Sequence, residues 1–384
     1  MSYLTEALLV GGSQGILLSL VILSLPSGNP LASRLLASYV ALESLLLLLL
    51  HVTYMQPDQS PPVLARLLFT TRALSGPALY LYVCALTEPG YRLQRRHLAH
   101  LWVLVFSTTW FVVHALEPEW MTLSTRELQL LPETVAMSSY QSLLMLFYAL
   151  AARQRLLHHD RRVKQALSAL DSVGLRWLLW LVTALIAVSV AHLSLDVLRL
   201  QDLIDAPAKA WTNLAMTLTV VYLISLGGLR QPQVFTEPVR VALAAVGNAD
   251  SAGDSASDER KYQKSGLDDA RRAELWAQLQ ALMNDEEPYL NPTLDLPKLA
   301  AMMSVRPQDL SEVINSQYGG SFYDLINHCR IDAAKRLLSE PGEAHRKMLD
   351  IALSVGFSSQ STYYNQFKKL TGMTPTTFRQ AAAD

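Results

Sequence analysis

The chain is 384 residues long, 51% hydrophobic and only 17% charged, with a formal net charge of −1. A soluble domain carries about 25% charged residues, so the composition argues against a single water-exposed globule, and the balanced charge argues against nucleic-acid binding by bulk positive potential. The two cysteines, Cys84 and Cys329, stand far apart and give neither a disulfide framework nor a paired metal-ligand spacing.

Charge is sparse before about Leu229 and ordinary after Asp250, which divides the chain between two solvents. Crossing a hydrocarbon core takes about 20 apolar residues in a helix. About seven windows meet that need, near residues 4–25, 33–54, 63–86, 98–116, 132–152, 175–198 and 209–229. The opening MSYLTE lacks the positive segment of a signal peptide. Arg34, then Arg92, Arg95 and Arg96, then Arg153, Arg155, Arg161, Arg162 and Lys164 fall in odd-numbered loops. The even loops are poorer in cations, with Glu117, Glu119, Glu127 and Glu133 against a lone Arg126. Cationic loops stay cytoplasmic. The pattern predicts a seven-helix transmembrane bundle over residues 1–230, with its N-terminus outside and everything after it in the cytoplasm.

Ionisable residues inside such windows are costly and therefore informative. Glu43 and Arg72 sit near the midpoints of the second and third windows and would compensate each other if those helices touch. His51, His114, His192 and Asp196 fall toward the outer ends of separate helices, with His192 and Asp196 on one face at i, i+4. Together they form a candidate outer sensing site for protons, a metal or a small ligand; ordinary helix-packing histidines are the plainer alternative.

Residues 231–266 read as a flexible linker, because the small, polar run at 247–257 cannot bury enough apolar surface to fold alone. Residues 267–290 then show helical periodicity, with Leu275, Leu279 and Leu282 in a stripe beside Trp276. That stripe spans about three turns, short for a coiled coil, which favours packing on the domain that follows over pairing with a second copy.

Residues 291–384 carry two similar halves. In the first, Leu296, Leu299, Ala300 and Met303 make the inward face of a helix, and a break follows at Ser304–Val305. A second helix opens at Pro307 with Leu310, Val313 and Ile314 inward. Its outward stripe is Gln308, Ser311, Glu312 and Asn315, side chains of the size that reaches base edges in a major groove. About fifty residues on, Met348, Ile351, Ala352 and Val355 repeat the first helix, and Gly356 supplies a turn with left-handed backbone. The following helix buries Tyr363, Phe367 and Leu370. It turns Ser361, Tyr364, Asn365 and Lys368 outward, with Gln360 at its N-terminal end, until Gly372 stops it. Between the halves, Ser321 and Asp324 approximate a capping box and Asp332 and Arg336 an i, i+4 pair on one rigid helix.

The stretches NSQYGGSFYDLINHCRIDAAKRLL and DIALSVGFSSQSTYYNQFKKLTGMTPTTFR, with a Gly-Phe turn, Phe-Lys-Lys and Gly-x-Thr-Pro in order, resemble the DNA-binding domain of AraC/XylS-type transcriptional regulators. The resemblance spans less than a quarter of the chain. It implies an all-α domain whose two second helices contact bases: Gln308, Ser311 and Glu312 from the first, and Gln360, Ser361, Thr362 and Asn365 from the second. Glu312 and Asn365 depart from the arginines common there, which removes bidentate guanine contacts. From Leu294 onward cations barely outnumber acids, so affinity from counterion release is modest.

The whole then reads as a one-component transcriptional regulator of a bacterial cytoplasmic membrane. Double-stranded promoter DNA, the lipid bilayer, an unknown signal or small ligand and a second copy are its expected partners. A transporter-type bundle with an appended autoregulatory domain, or a bundle that only anchors, is the alternative. No catalytic triad, phosphate loop or metal spacing stands out, so neither an enzyme nor a cofactor is expected.

Overall fold

The computed structural model describes residues 2–24, 29–88, 90–169, 175–205, 267–340 and 345–383, with isolated positions at 208–219 and 342. These residues are helical throughout, with no strand among them. The chain forms two compact units: Met1–Leu157 with Leu175–Gln233, and His158–Gly174 with Val234–Asp384.

The first unit contains α1 (Ser2–Ser24), α2 (Pro30–Met55), α3 (Val63–Phe69), α4 (Ser75–Thr87), α5 (Trp102–Ala115), α6 (Pro118–Thr122), α7 (Thr125–Leu128), most of α8 (Pro132–Ala166), and α9 (Arg176–Leu200). Local chemistry sets the boundaries. Asn29 accepts from Ala32 N at 3.1 Å to start α2, with Pro30 in the first turn, and its amide donates to Ala85 O at 2.7 Å. Arg66 is 6% exposed and holds the loop around α6 by donating to the carbonyls of Trp120 and Leu123 at 2.9 and 2.7 Å. Its guanidinium lies 4.9 Å from the Trp120 ring centroid.

Among the described residues, five helical stretches are long and apolar enough to cross a membrane: Thr5–Ser24, Pro30–Met55, Arg95–Ala115, Pro132–Ala166 and Arg176–Leu200. The sequence predicts about seven windows, and the difference has two sources. The window at 209–229 lies largely outside the described residues, as does the linker at 231–266. The window at 63–86 is not one helix. It breaks into α3, a 3-10 turn at Thr70–Leu74, and α4. Pro77 explains the break: it lacks an N–H, and its ring would strike the carbonyl four residues back, at Ala73.

In the second unit, α10 (Asp269–Asp285) buries Leu275, Leu279 and Met283 and packs against α12, so the apolar stripe expected at 267–290 is used within the chain. The stripe turns slightly from the expected one, with Met283 rather than Leu282 buried. Next come α11 (Leu296–Met302), α12 (Pro307–Val313) with a π turn at Ile314–Tyr318, α13 (Phe322–Ser339), α14 (Met348–Ser354), α15 (Gln360–Thr371) and α16 (Pro375–Ala383). The break between α11 and α12 carries Ser304 at φ 56°, and the turn between α14 and α15 carries Gly356 at φ 92°. The capping box on α13 is present: Ser321 Oγ accepts from Asp324 N at 3.2 Å while Asp324 Oδ2 accepts from Ser321 N at 3.3 Å.

Two local expectations fail. Asp332 pairs with Lys335 at 2.7 Å and His328 at 3.2 Å rather than with Arg336, which reaches out of the helix to Glu287 at 3.0 Å. Leu370 is 40% exposed, because the last turn of α15 runs past the core toward Gly372.

Candidate functional site

Each half of the C-terminal region is a helix, a turn and a second helix whose buried side fixes where its other side points. In the first half, Leu296, Leu299, Ala300, Leu310, Val313 and Ile314 are fully buried. The outer side of α12 is uneven. Asn315 is exposed, whereas Gln308, Ser311 and Glu312 are half-buried. The Glu312 carboxylate accepts from Arg272 Nε of α10 at 3.0 Å, and both side chains are mostly covered. Arg306 sits just before α12, but its guanidinium forks onto Asp309 with two bonds of 2.8 Å, which hold its pKa above the ordinary arginine value.

The second half is more open. Tyr363 and Phe367 are fully buried on the inner side of α15, with Phe357 plugging the turn, while Gln360, Ser361, Asn365 and Lys368 are exposed on the outer side. Ser359 caps α15 by accepting from Thr362 N at 3.3 Å, and its hydroxyl also donates to Thr362 Oγ1 at 3.1 Å. Thr362 and Tyr364 are half-buried, and the Tyr364 hydroxyl lies 3.0 Å from Thr376 Oγ1 of α16. Lys368 and Lys369 close the helix; Lys369 reaches Asp324 at 3.3 Å. The exposed polar ends on α15 are thus two amides, an ammonium and the Ser361 hydroxyl, which lies 3.2 Å from Ser359 Oγ, a set that can hydrogen-bond base edges and meet a phosphate.

One residue that the sequence reading passed over organises both halves. Arg330 of α13 is 1% exposed and donates to the carbonyls of Tyr289 at 2.8 Å, Asn291 at 2.9 Å and Ser168 at 3.1 Å. Its guanidinium also lies 5.7 Å from the Phe357 ring centroid. Burial pushes its pKa down to about 10, partly offset by Tyr323 and Cys329, so it remains charged at neutral pH. A signal was present: Ile326, Arg330 and Ala334 recur at i, i+4, i+8, which puts a lone arginine on a buried stripe.

In the first unit, the polar residues singled out above are redistributed. Glu43 and Arg72 line one cavity together with His192. Asp196, 1% exposed, accepts from Ser139 Oγ at 2.8 Å and Ser138 Oγ at 3.3 Å, one turn beyond His192 on α9. His51 Nδ1 lies 2.6 Å from Thr5 O, tying α2 to α1, and His114 Nδ1 lies 2.8 Å from Trp110 O within α5.

Residues 299–381 match the family model described as a helix-turn-helix domain. Over 102 residues the chain is 29% identical to the HTH-type transcriptional regulator GlxA of Rhizobium meliloti (strain 1021), covering 27% of this chain and 31% of that protein. Over 93 residues it is 27% identical to the probable transcriptional regulator LumQ of Photobacterium leiognathi, covering 24% of this chain and 36% of that protein. The chain therefore spans about a third of the length of these curated relatives. Among solved structures, the C-terminal domain of the two-component response regulator yesN from Fusobacterium nucleatum subsp. nucleatum ATCC 25586 is 26% identical, with a TM-score of 0.25, over 28% of this chain and 98% of that one. The C-terminal region is an AraC-type helix-turn-helix domain, and its relatives are named as transcriptional regulators.

Proposed function

We propose that the protein is a membrane-embedded one-component transcriptional regulator, which binds promoter DNA through its two helix-turn-helix units under the control of a signal received by the helical bundle. The observation that carries the DNA-binding part is the outer side of α15, where Gln360, Ser361, Asn365 and Lys368 are exposed on a helix locked from behind by Tyr363 and Phe367. The α12 side serves more for positioning, since Glu312 is engaged by Arg272.

Membrane embedding is supported by an inverted distribution of polarity in the first unit. Leu17, Val105, Phe147 and Trp180 are 63%, 65%, 65% and 72% exposed, while Ser44, Ser107, His192 and Asp196 are buried. Apolar side chains outward and polar ones inward suit lipid as the solvent. In this reading residues 1–230 form the bundle, 231–266 the linker, 267–290 the connecting helix and 291–384 the DNA-binding domain, on the cytoplasmic side of a bacterial inner membrane. The interruption of the third window at Thr70–Leu74 favours a bundle that holds a solute over one that only anchors, since broken helices mark such sites in membrane bundles.

Genome-wide DNA capture with the full-length protein in its membrane tests the reading. Site-specific peaks are expected, and the Gln360→Ala, Asn365→Ala double variant is expected to abolish them. Peaks that persist unchanged in that variant would refute the assignment of α15 as the reading helix.

A further inference from the structure

The cavity in the first unit lies among α2, the 3-10 turn at Thr70–Leu74, α4, α8 and α9, and has a volume of about 70 Å³. Its polar lining includes Tyr39 and Glu43 from α2, Arg72 from the turn, Gln141 and Ser142 from α8, and His192 from α9. The apolar part of the lining is Met145, Leu185 and Val188. Gly76 keeps α4 close against α8 beside it, since a Cβ there would stand 2.9 Å from Tyr148 Cδ2.

Arg72 is the residue that makes this space a site. A guanidinium carries five N–H donors and no acceptor, yet Arg72 forms neither a hydrogen bond nor an ion pair with a described residue. Its charge acts on Glu43 and Tyr39 without closing into contact with either. A lone charge held among spanning helices is costly and is retained where something pairs with it. Here Arg72 and Glu43 line one small cavity with no ion pair between them. A simple anion would satisfy Arg72 and crowd Glu43, and a simple cation would do the reverse. A molecule with a carboxylate at one end and an ammonium at the other satisfies both, and the arginine fork suits the carboxylate. The volume admits roughly five water-sized groups, and the apolar part of the lining accepts a short aliphatic substituent. The position of Arg72 on an interrupted helix is the usual setting for a solute site inside a bundle.

We infer that this cavity binds a small zwitterion of the α-amino-acid class, glycine- to alanine-sized, with its carboxylate on Arg72 and its ammonium on Glu43. The site deepens the proposed function by naming what the bundle receives, and only its consequence at DNA rests on that reading.

The test is thermal unfolding of the purified full-length protein in detergent micelles, followed by tryptophan fluorescence, with L-alanine, propionate or ethylamine titrated at equal ionic strength. Alanine is expected to raise Tm saturably by several degrees. Propionate, which lacks the ammonium, and ethylamine, which lacks the carboxylate, are expected to leave it unchanged. The alanine response is expected to vanish in Arg72→Gln and in Glu43→Gln. Equal responses to all three compounds, or to none, overturn the inference, and this comparison on the unaltered protein stands even where a variant fails to fold. An alanine response that survives in both variants overturns it as well. Alanine binding with unchanged promoter occupancy upholds the site and counts instead against control of DNA binding by the bundle.

Discussion

Arg330 donates to Ser168 twice, to the carbonyl at 3.1 Å and to the hydroxyl at 3.3 Å, across 162 positions of sequence. The Ser168 hydroxyl in turn donates a hydrogen bond to Leu294 O, and Leu167 forms an antiparallel bridge with Asp295. The segment after α8 is therefore built into the second unit as a structural part. Ser168→Ala should cost about 1 kcal/mol, the net worth of an ordinary buried hydrogen bond. Arg330→Met should cost about 3 kcal/mol or more, because it strands the carbonyls of Tyr289, Asn291 and Ser168. Arg330→Lys should rescue little, since the donors of an ammonium sit on one nitrogen and cannot span the three carbonyls that the guanidinium nitrogens reach. Urea unfolding of the full-length protein gives the energies, and hydrogen exchange at residues 287–295 locates the loss.

Gly356 has no tolerance for a side chain. Its φ of 92° is strained for any L-residue, and a Cβ would stand 2.5 Å from Tyr289 O and 2.8 Å from Leu290 O. Both are backbone atoms, and Tyr289 O is already held by Arg330. Gly356→Ala should destabilise the second helix-turn-helix unit by about 3 kcal/mol or more. Specific DNA binding and cooperative unfolding of that unit should be lost together, read by DNA capture and by hydrogen exchange over α14 and α15.

The α13 cap gives the second unit a defined acid limb. Burial alone would raise the Asp324 pKa, but bonds from the Ser321 hydroxyl and N–H, together with Lys369, hold it below the usual aspartate value. A carboxyl depressed in the folded state contributes stability that is complete above the unfolded pKa of about 3.9 and is lost as pH falls through the folded value. Asp324→Asn should cost about 1 kcal/mol at neutral pH and flatten stability against pH below about 4. Lys369 is well exposed, so added salt should weaken its share.

Two neighbours on α15 should fail in different ways. Lys368→Ala removes a charge with no base to read, so binding should weaken evenly across sequences and the salt slope should fall by about one. Asn365→Ala should cost about 1–3 kcal/mol at cognate sites and little elsewhere. Fluorescence anisotropy on specific and scrambled duplexes, at several salt concentrations, separates the two.

What the sequence revealed was local stereochemistry. Pro307 begins α12, the break falls at Ser304, Gly356 takes positive φ, and Ser321 with Asp324 closes the box, because each is decided by atoms a few residues apart. What escaped were choices among distant partners. Arg336 prefers Glu287, Glu312 meets Arg272, and Arg330 gathers three carbonyls from two distant segments. Hydropathy summed over about 20 residues also cannot register one proline ring, so residues 63–86 score as a single span although Pro77 lies within them. The shared cavity of Glu43, Arg72 and His192 was only half visible, since composition says which helices carry charge but not which of them meet.

The bridge between Arg272 and Glu312 bears on how this molecule can be dissected. A fragment trimmed to the matched domain would begin after α10 and discard the counterion of Glu312 along with the leucines that cover α12. It would then leave the Glu312 carboxylate without its arginine and offer an uncovered greasy strip to its neighbours. A surrogate for the promoter-binding half must therefore reach at least ahead of Asp268, whose side chain caps α10 at 2.7 Å from Arg271 N, and it still lacks the Ser168 carbonyl that Arg330 holds.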